Sequence, residues 1–117
     1  MIQDNHDTSA NQYQAAVLKL YLELPETPSR TGPQDRKRAA ELYARGIKLA
    51  TVESALLLAS LRRLGRPEDW PPLAPIRSLA YFMPVIEELL DNPITDDYRE
   101  YLSGKVRSLG SIIRQGK

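Results

Sequence analysis

Eight basic side chains between residues 36 and 66 are the strongest candidates for chemistry, because only Glu41 and Glu53 oppose them in that stretch. Arginine and lysine at this density neutralise phosphates and release counterions, which gives sequence-independent affinity for nucleic acid. The pattern predicts phosphate contacts if residues 36–38 and 62–66 come together, as they would on two antiparallel neighbouring helices. The candidates are Arg36, Lys37, Arg38, Arg45, Lys48, Arg62, Arg63 and Arg66.

The same basic residues also fit a plain solvated surface. Arg62 and Arg63 fall at the predicted end of a helix, where positive charge is favoured whatever the function. Both interpretations stand at this stage. If the arginines lie on opposite sides of the molecule, or are paired with carboxylates, a protein-docking role becomes the preferred one.

Residues 67–100 have the opposite balance, with eight acidic and two basic side chains. Glu87 with Asp91, and Asp96 with Glu100, have the four-residue spacing that puts two carboxylates on one helix face. Such pairs can bind Mg²⁺, but solvated helix ends explain them better, because carboxylates are favoured at a helix start. We therefore expect no metal site.

Candidates for covalent catalysis are scarce in this sequence. The single histidine, His6, falls in the polar N-terminal segment, and there is no cysteine. The lack of cysteine excludes disulfides, zinc-thiolate sites and thiol catalysis. A serine or lysine nucleophile would need a positioned base, which the sequence does not offer. We expect a non-enzymatic protein with no cofactor and no small-molecule substrate.

Three aromatic residues support a second hypothesis. Trp70 lies in the proline-rich segment 66–75, and Tyr98 and Tyr101 lie in an acidic segment. Exposed aromatics often anchor protein–protein contacts, so these three can dock another protein or a second copy of the chain. Trp70 is also expected to pack its loop onto the core, as a large apolar ring often does.

The element that must position these residues is the stretch Leu49–Leu64, LATVESALLLASLRRL, which is apolar on every helix face near residues 55–59. A helix that is hydrophobic all round belongs in the interior, so we expect the other segments to pack around it. Four further helices follow from apolar spacing and end signals. These are a helix from Tyr13 to Pro25, one from Pro33 to Arg45 with Gly46 as a left-handed stop, one from about Ser78 with Pro84 as a kink or new first turn, and one capped by Thr95.

These elements predict an all-α fold, a compact bundle of about five helices around the central helix 49–64. Residues 1–12 are polar and patternless and are expected to form a flexible tail, and residues 13–117 a single helical domain. The N-terminus lacks the basic and apolar regions of a secretory signal, and no segment is apolar enough to span a membrane. We expect a cytoplasmic location without membrane contact.

The segment 38–63 resembles a helix-turn-helix, with Gly46 in the turn and Val52 and Ala55 in the second helix. A recognition helix needs a polar face for base edges, and residues 55–59 leave little of one. The alternatives are therefore major-groove recognition and ordinary helix packing, of which the pattern favours packing.

A longer passage, from Glu41 to Leu90, resembles the C-terminal helical module of DnaD-type primosomal proteins and of phage and plasmid replication proteins. The likeness is carried by RGI at 45–47, TVESAL at 51–56, PIRSLAYF at 75–82 and VIEELL at 85–90. By this resemblance Tyr81 stands for the family's helix tyrosine, and Lys48 and Arg77 for polar residues at helix entries. The proline-rich loop and Pro84 depart from the family pattern.

The resemblance implies DNA binding and partner contacts. Together with the basic cluster it leads to the expectation of a non-enzymatic DNA-binding accessory protein in replication or mobile-element biology. The alternative is an adaptor or self-associating helical module that does not bind nucleic acid. The sequence leaves the form of the nucleic acid, the partner and the oligomeric state open.

Overall fold

The computed structural model describes the backbone of residues 2–115 and the side chains of residues 9–110. Over this range the chain forms five α-helices and a single 3-10 turn, Leu79–Phe82, with no strand, which confirms the predicted all-helical bundle. The helices are α1 (Ile2–Leu22), α2 (Pro33–Ala44), α3 (Leu49–Leu64), α4 (Met83–Asp91) and α5 (Asp96–Gln115).

Helix α3 is the centre of the bundle. It packs against α1, α4 and α5, and it buries Val52, Leu56 and Leu57 among other residues. Of its sixteen residues, all within the described range, only Ala50 and Arg62 are exposed. The prediction that this apolar helix lies inside the bundle is confirmed. A helix with two exposed side chains has no free face to offer a DNA groove, so ordinary packing accounts for the helix-turn-helix pattern.

Helix α2 packs against α1 and the 3-10 turn, and it does not pack along α3. The Tyr13 hydroxyl on α1 donates a 2.6 Å hydrogen bond to the Ile47 carbonyl in the turn after α2. Helices α2 and α3 are therefore not the neighbouring pair on which the predicted convergence of residues 36–38 and 62–66 depends. Helix α1 supplies the packing surface because its Val17 and Tyr21 are fully buried.

Most predicted helix ends are confirmed by local chemistry. Gly46 has φ of 73°, the left-handed conformation that glycine adopts readily after a helix. Pro84 lies in the first turn of α4, so it begins a new helix after the 3-10 turn. The Thr95 hydroxyl accepts a 3.1 Å hydrogen bond from the Tyr98 N–H at the start of α5.

Helix α1 begins at Ile2, well before Tyr13, and ends at Leu22, before Pro25. Tyr13 is the first described apolar side chain that packs against the core. The predicted tail, residues 1–12, falls largely on residues 1–8, whose side chains lie outside those described, so its flexibility stays a prediction. His6 lies in that part as well. Between residues 2 and 115, no helix is long and apolar enough to cross a membrane.

A buried carboxylate joins the start of α2 to the 3-10 turn. Asp35 is 5% exposed. Its Oδ2 accepts from the Gly32 N–H at 2.9 Å, and its Oδ1 accepts from the Leu79 N–H at 2.8 Å. Hydrogen bonds from two backbone donors offset the cost of burying the charge. This contact fixes where the cations at the start of α2 lie.

Candidate functional site

Arg63, in the last turn of α3, is a structural residue. Its side chain is 8% exposed, its Nε donates to Glu26, and its Nη2 donates to the Ala74 carbonyl at 2.8 Å. Its guanidinium also lies 5.6 Å from the centre of the Tyr81 ring. Burial by itself lowers the pKa of Arg63, but hydrogen bonds to Glu26 and Tyr81 raise it overall. Arg63 thus holds the loops after α1 and α3 against the bundle.

Arg62, one residue earlier, is paired with Glu88 on α4. Two parallel hydrogen bonds, of 2.9 and 2.7 Å, join the guanidinium to the carboxylate. The hydrogen bonds raise the pKa of Arg62 and lower the pKa of Glu88. This two-bond geometry is the one that Arg and carboxylate groups prefer. Arg62 is exposed, but its donors face Glu88.

Arg45, at the end of α2, makes a second pair of this kind. Its guanidinium donates to Glu87 on α4 at 2.7 and 3.0 Å. The hydrogen bonds raise the pKa of Arg45 and lower that of Glu87. The two carboxylates that the sequence places in an acidic cluster are therefore partners of two arginines from the basic cluster.

Arg66 and Trp70 are partners of each other in the loop after α3. The Arg66 Nη2 donates to the Pro71 carbonyl at 2.8 Å, and its guanidinium lies 5.0 Å from the centre of the Trp70 ring. Trp70 is 53% exposed, so the prediction that it packs its loop onto the core is wrong. A cation stacked on its face takes the place of the core contact.

The predicted phosphate-binding set does not form one surface. Lys48 precedes the first residue of α3 and Arg62 lies in its last turn. At 1.5 Å per residue the two are about 21 Å apart along the helix axis. Residues 36–38 lie nearer the C-terminal end of α3. The neighbouring Asp35 accepts a hydrogen bond from Leu79 in the 3-10 turn, and Arg63 at that end of α3 contacts Tyr81 in the same turn.

The cations at the start of α2 differ from those at the end of α3. Arg36 and Lys37 are exposed and form no ion pair with any described residue, whereas Arg38 is 3.4 Å from Glu41. Arg30 and Arg77 are also exposed and unpaired within residues 9–110, and they line an open cleft of about 380 Å³ with Gln34 and Asp35. Arg30 was missed from sequence because it stands alone in a proline-rich loop.

Helix α5 presents two aromatic rings to solvent. Tyr98 and Tyr101 are 43% and 54% exposed, and their rings stack with centroids 5.8 Å apart at 19°. The Lys105 ammonium lies 6.0 Å from the Tyr101 ring centre. We call Tyr98, Tyr101 and the acidic residues around them on α5, Asp97 and Glu100, the tyrosine face.

Among the described side chains, possible metal ligands do not lie together. Across the side chains of residues 9–110, no group of three or more histidine, aspartate or glutamate residues is arranged to hold a metal ion.

Comparisons with protein-family models, with curated proteins and with solved structures found no match to this chain. The resemblance to the DnaD-type module, with the roles that it gives to Lys48, Arg77 and Tyr81, accordingly stays a prediction.

Proposed function

We propose that this protein is a non-enzymatic interaction module that docks a basic protein partner through the tyrosine face. The observation that carries the proposal is the stacked, half-exposed pair Tyr98 and Tyr101 in acidic surroundings. Protein docking is preferred over nucleic-acid binding because most of the predicted arginines are paired, which leaves few of them free to contact phosphate.

The two tyrosines have the properties of interface anchors. Tyrosine is enriched among the residues that contribute most to binding, because it buries a large area and keeps a polar hydroxyl. Each ring has only two side-chain torsions to fix, so ordering it costs little entropy. Stacking of Tyr98 on Tyr101 already restricts both rings. A partner therefore meets a partly organised surface.

Charge favours a basic partner. Residues 87–101 hold six carboxylates and one cation, Arg99, and two of the carboxylates, Glu87 and Glu88, are paired with arginines of α2 and α3. Arg99 is itself engaged, 2.9 Å from Asp96 and 3.7 Å from Glu53. Asp97 and Glu100 are exposed beside the tyrosines and form no ion pair with a described residue. Opposite charge across an interface speeds association and disfavours wrong partners.

The pairing of the arginines makes nucleic-acid binding the second candidate. Of the eight predicted cations, five contact a carboxylate or a backbone carbonyl. They are Arg38 (Glu41), Arg45 (Glu87), Arg62 (Glu88), Arg63 (Glu26 and Ala74) and Arg66 (Pro71).

One observation still favours DNA as a second function: Arg30, Arg36, Lys37 and Arg77 surround the start of α2, exposed and without ion pairs to described residues. Four phosphate contacts give a slope of about −3 to −4 for log affinity against log salt concentration. A gel-shift series across salt concentrations with duplex and single-stranded DNA tests this. Retardation with that slope supports the DNA function, and no retardation at low salt removes it.

Affinity capture with quantitative mass spectrometry tests the docking proposal. The bait is the full chain, compared with Tyr98→Ala/Tyr101→Ala and with Tyr43→Ala, a matched control because Tyr43 is a 37% exposed tyrosine on α2. We expect one stoichiometric basic protein with the wild type and the control, and its loss with the double variant. Equal recovery of every protein by all three baits would refute the proposal.

A further inference from the structure

The loop between α3 and the 3-10 turn contains an exposed proline-rich segment, residues 71–77, with the sequence PPLAPIR. None of these residues is in a helix or strand, and all except Ile76 are exposed. Contiguous exposed apolar residues often mark a contact site for another protein. Pro72, Leu73 and Pro75 form such a run on the surface of the loop.

Local sterics fix the backbone of this segment. Each proline holds its own φ near −65°, and each proline also restricts the residue before it to extended or polyproline II geometry. Trp70, Pro71 and Ala74 each precede a proline. These residues therefore favour extended or polyproline II geometry, and the second of these is a left-handed helix with three residues per turn.

Contacts with the bundle hold the segment in place. Ile76 is 4% exposed and belongs to the hydrophobic core. Arg66 donates to the Pro71 carbonyl and Arg63 to the Ala74 carbonyl, each at 2.8 Å. The arginines at the end of α3 and the buried Ile76 thus hold the segment on the bundle. Ordering before binding reduces the entropy cost of association.

A polyproline II helix over this segment has three edges, because it has three residues per turn. The first edge consists of Pro72 and Pro75, and the second of Pro71, Ala74 and Arg77; every one of these residues is exposed. The third edge, with Ile76, is turned to the core, although Leu73 on it stays 42% exposed. The exposed first edge, with Pro72 and Pro75, is available to a partner that holds the segment in a groove.

We propose that residues 71–77 are a docking segment for a domain of the SH3 type, whose aromatic-lined groove binds polyproline II helices. Pro72 and Pro75 have the proline-x-x-proline spacing that such grooves recognise. Arg77 follows two residues later, exposed and with no ion pair among the described side chains, and it selects a groove that ends in a carboxylate. This docking segment is separate from the tyrosine face and does not rest on it.

Isothermal titration of the full chain with purified SH3 domains that accept proline-x-x-proline-x-arginine peptides tests the proposal. We expect saturable binding, weakened about tenfold or more both in Pro72→Ala/Pro75→Ala and in Arg77→Glu. Pro67→Ala is the matched control, because Pro67 is an exposed proline of the same loop outside the segment.

Two outcomes would overturn the proposal. One is that no SH3 domain of the set binds the wild-type chain. The other is that the double proline variant and Arg77→Glu bind as tightly as the wild type and Pro67→Ala. Circular dichroism of each variant shows whether the helices are intact, and Arg77→Gln separates loss of the charge from reversal of it. Unchanged spectra with lost binding support a direct contact.

Discussion

The arginines at the end of α3 and the cations at the start of α2 carry the same charge, but only the second group is free to contact another molecule. Arg62 and Arg63 are joined to Glu88 and Glu26, which come from other parts of the chain. Arg36 and Lys37 are exposed and have no described carboxylate partner. The difference shows that the number of charges in a segment does not measure a binding surface, because a distant carboxylate can engage an arginine.

Physical position explains the difference. The end of α3 lies where the loops after α1 and α3 and the Tyr81 ring converge, so Arg63 has partners on three sides. Arg36 and Lys37 lie on the outer face of α2, which packs on α1 through Ala39 and Leu42. The first group stabilises the fold, and the second remains free to meet another molecule.

The largest effect that separates the two groups is on stability. Arg63→Ala leaves the Glu26 carboxylate and the Ala74 carbonyl without their donor, and we expect it to lower the free energy of unfolding by about 2 to 3 kcal/mol. Arg36→Ala, on an exposed face, should change it by less than about 0.5 kcal/mol. Urea unfolding of both variants measures this, and equal effects would contradict the division.

The second effect concerns DNA. If the chain is retarded with DNA at low salt, Arg36→Glu/Lys37→Glu should abolish the retardation, because these cations have no internal partner. Arg62→Gln should leave it nearly unchanged, since Glu88 already neutralises Arg62. The two variants are compared side by side in fluorescence anisotropy with labelled duplex. A larger loss of DNA binding with Arg62→Gln than with the double variant would indicate that the end of α3 contacts the nucleic acid.

The third effect is on the pH dependence of stability. Hydrogen bonds from Arg62 lower the pKa of Glu88 below its ordinary 4.5. A carboxylate with a lowered pKa stabilises the fold above its unfolded value, and this contribution is lost as the pH falls through the lowered pKa. Glu88→Gln should therefore flatten the acid side of the stability curve. Glu68→Gln, at an exposed residue that has no ion pair with the described residues, is the control.

A fourth, small effect is expected at Trp70. Its ring is 53% exposed and its close contact is the Arg66 guanidinium, so Trp70→Ala should change the free energy of unfolding by less than about 1 kcal/mol. Thermal and urea unfolding measure it. A loss comparable to that of Arg63→Ala would mean that Trp70 packs in the core, as its size led us to expect from sequence.

The helices were predictable because their signals are local. The apolar run at 49–64, glycine at 46, proline at 84 and threonine at 95 each specify a helix or its end through their own sterics or hydrogen bonds. The early start of α1 was missed, because residues 2–12 have no apolar periodicity and helix propensity alone did not mark them.

The candidate site was less predictable because its contacts are distant in sequence. Arg63 and Glu26 are 37 residues apart, and Arg45 and Glu87 are 42 residues apart. Which arginine meets which carboxylate depends on how α4 and the loops pack, and periodicity carries no information about that. The sequence predicted that Tyr98 and Tyr101 are exposed, but it did not predict that their rings stack on each other.

Hydrogen exchange of the full chain, alone and with its captured partner, tests the docking role most directly. We expect slower exchange in residues 96–105, the part of α5 with Tyr98 and Tyr101, and unchanged exchange in residues 33–38. Protection confined to residues 33–38, with nucleic acid in the captured complex, would contradict the docking role and restore the cations of α2 as the functional surface.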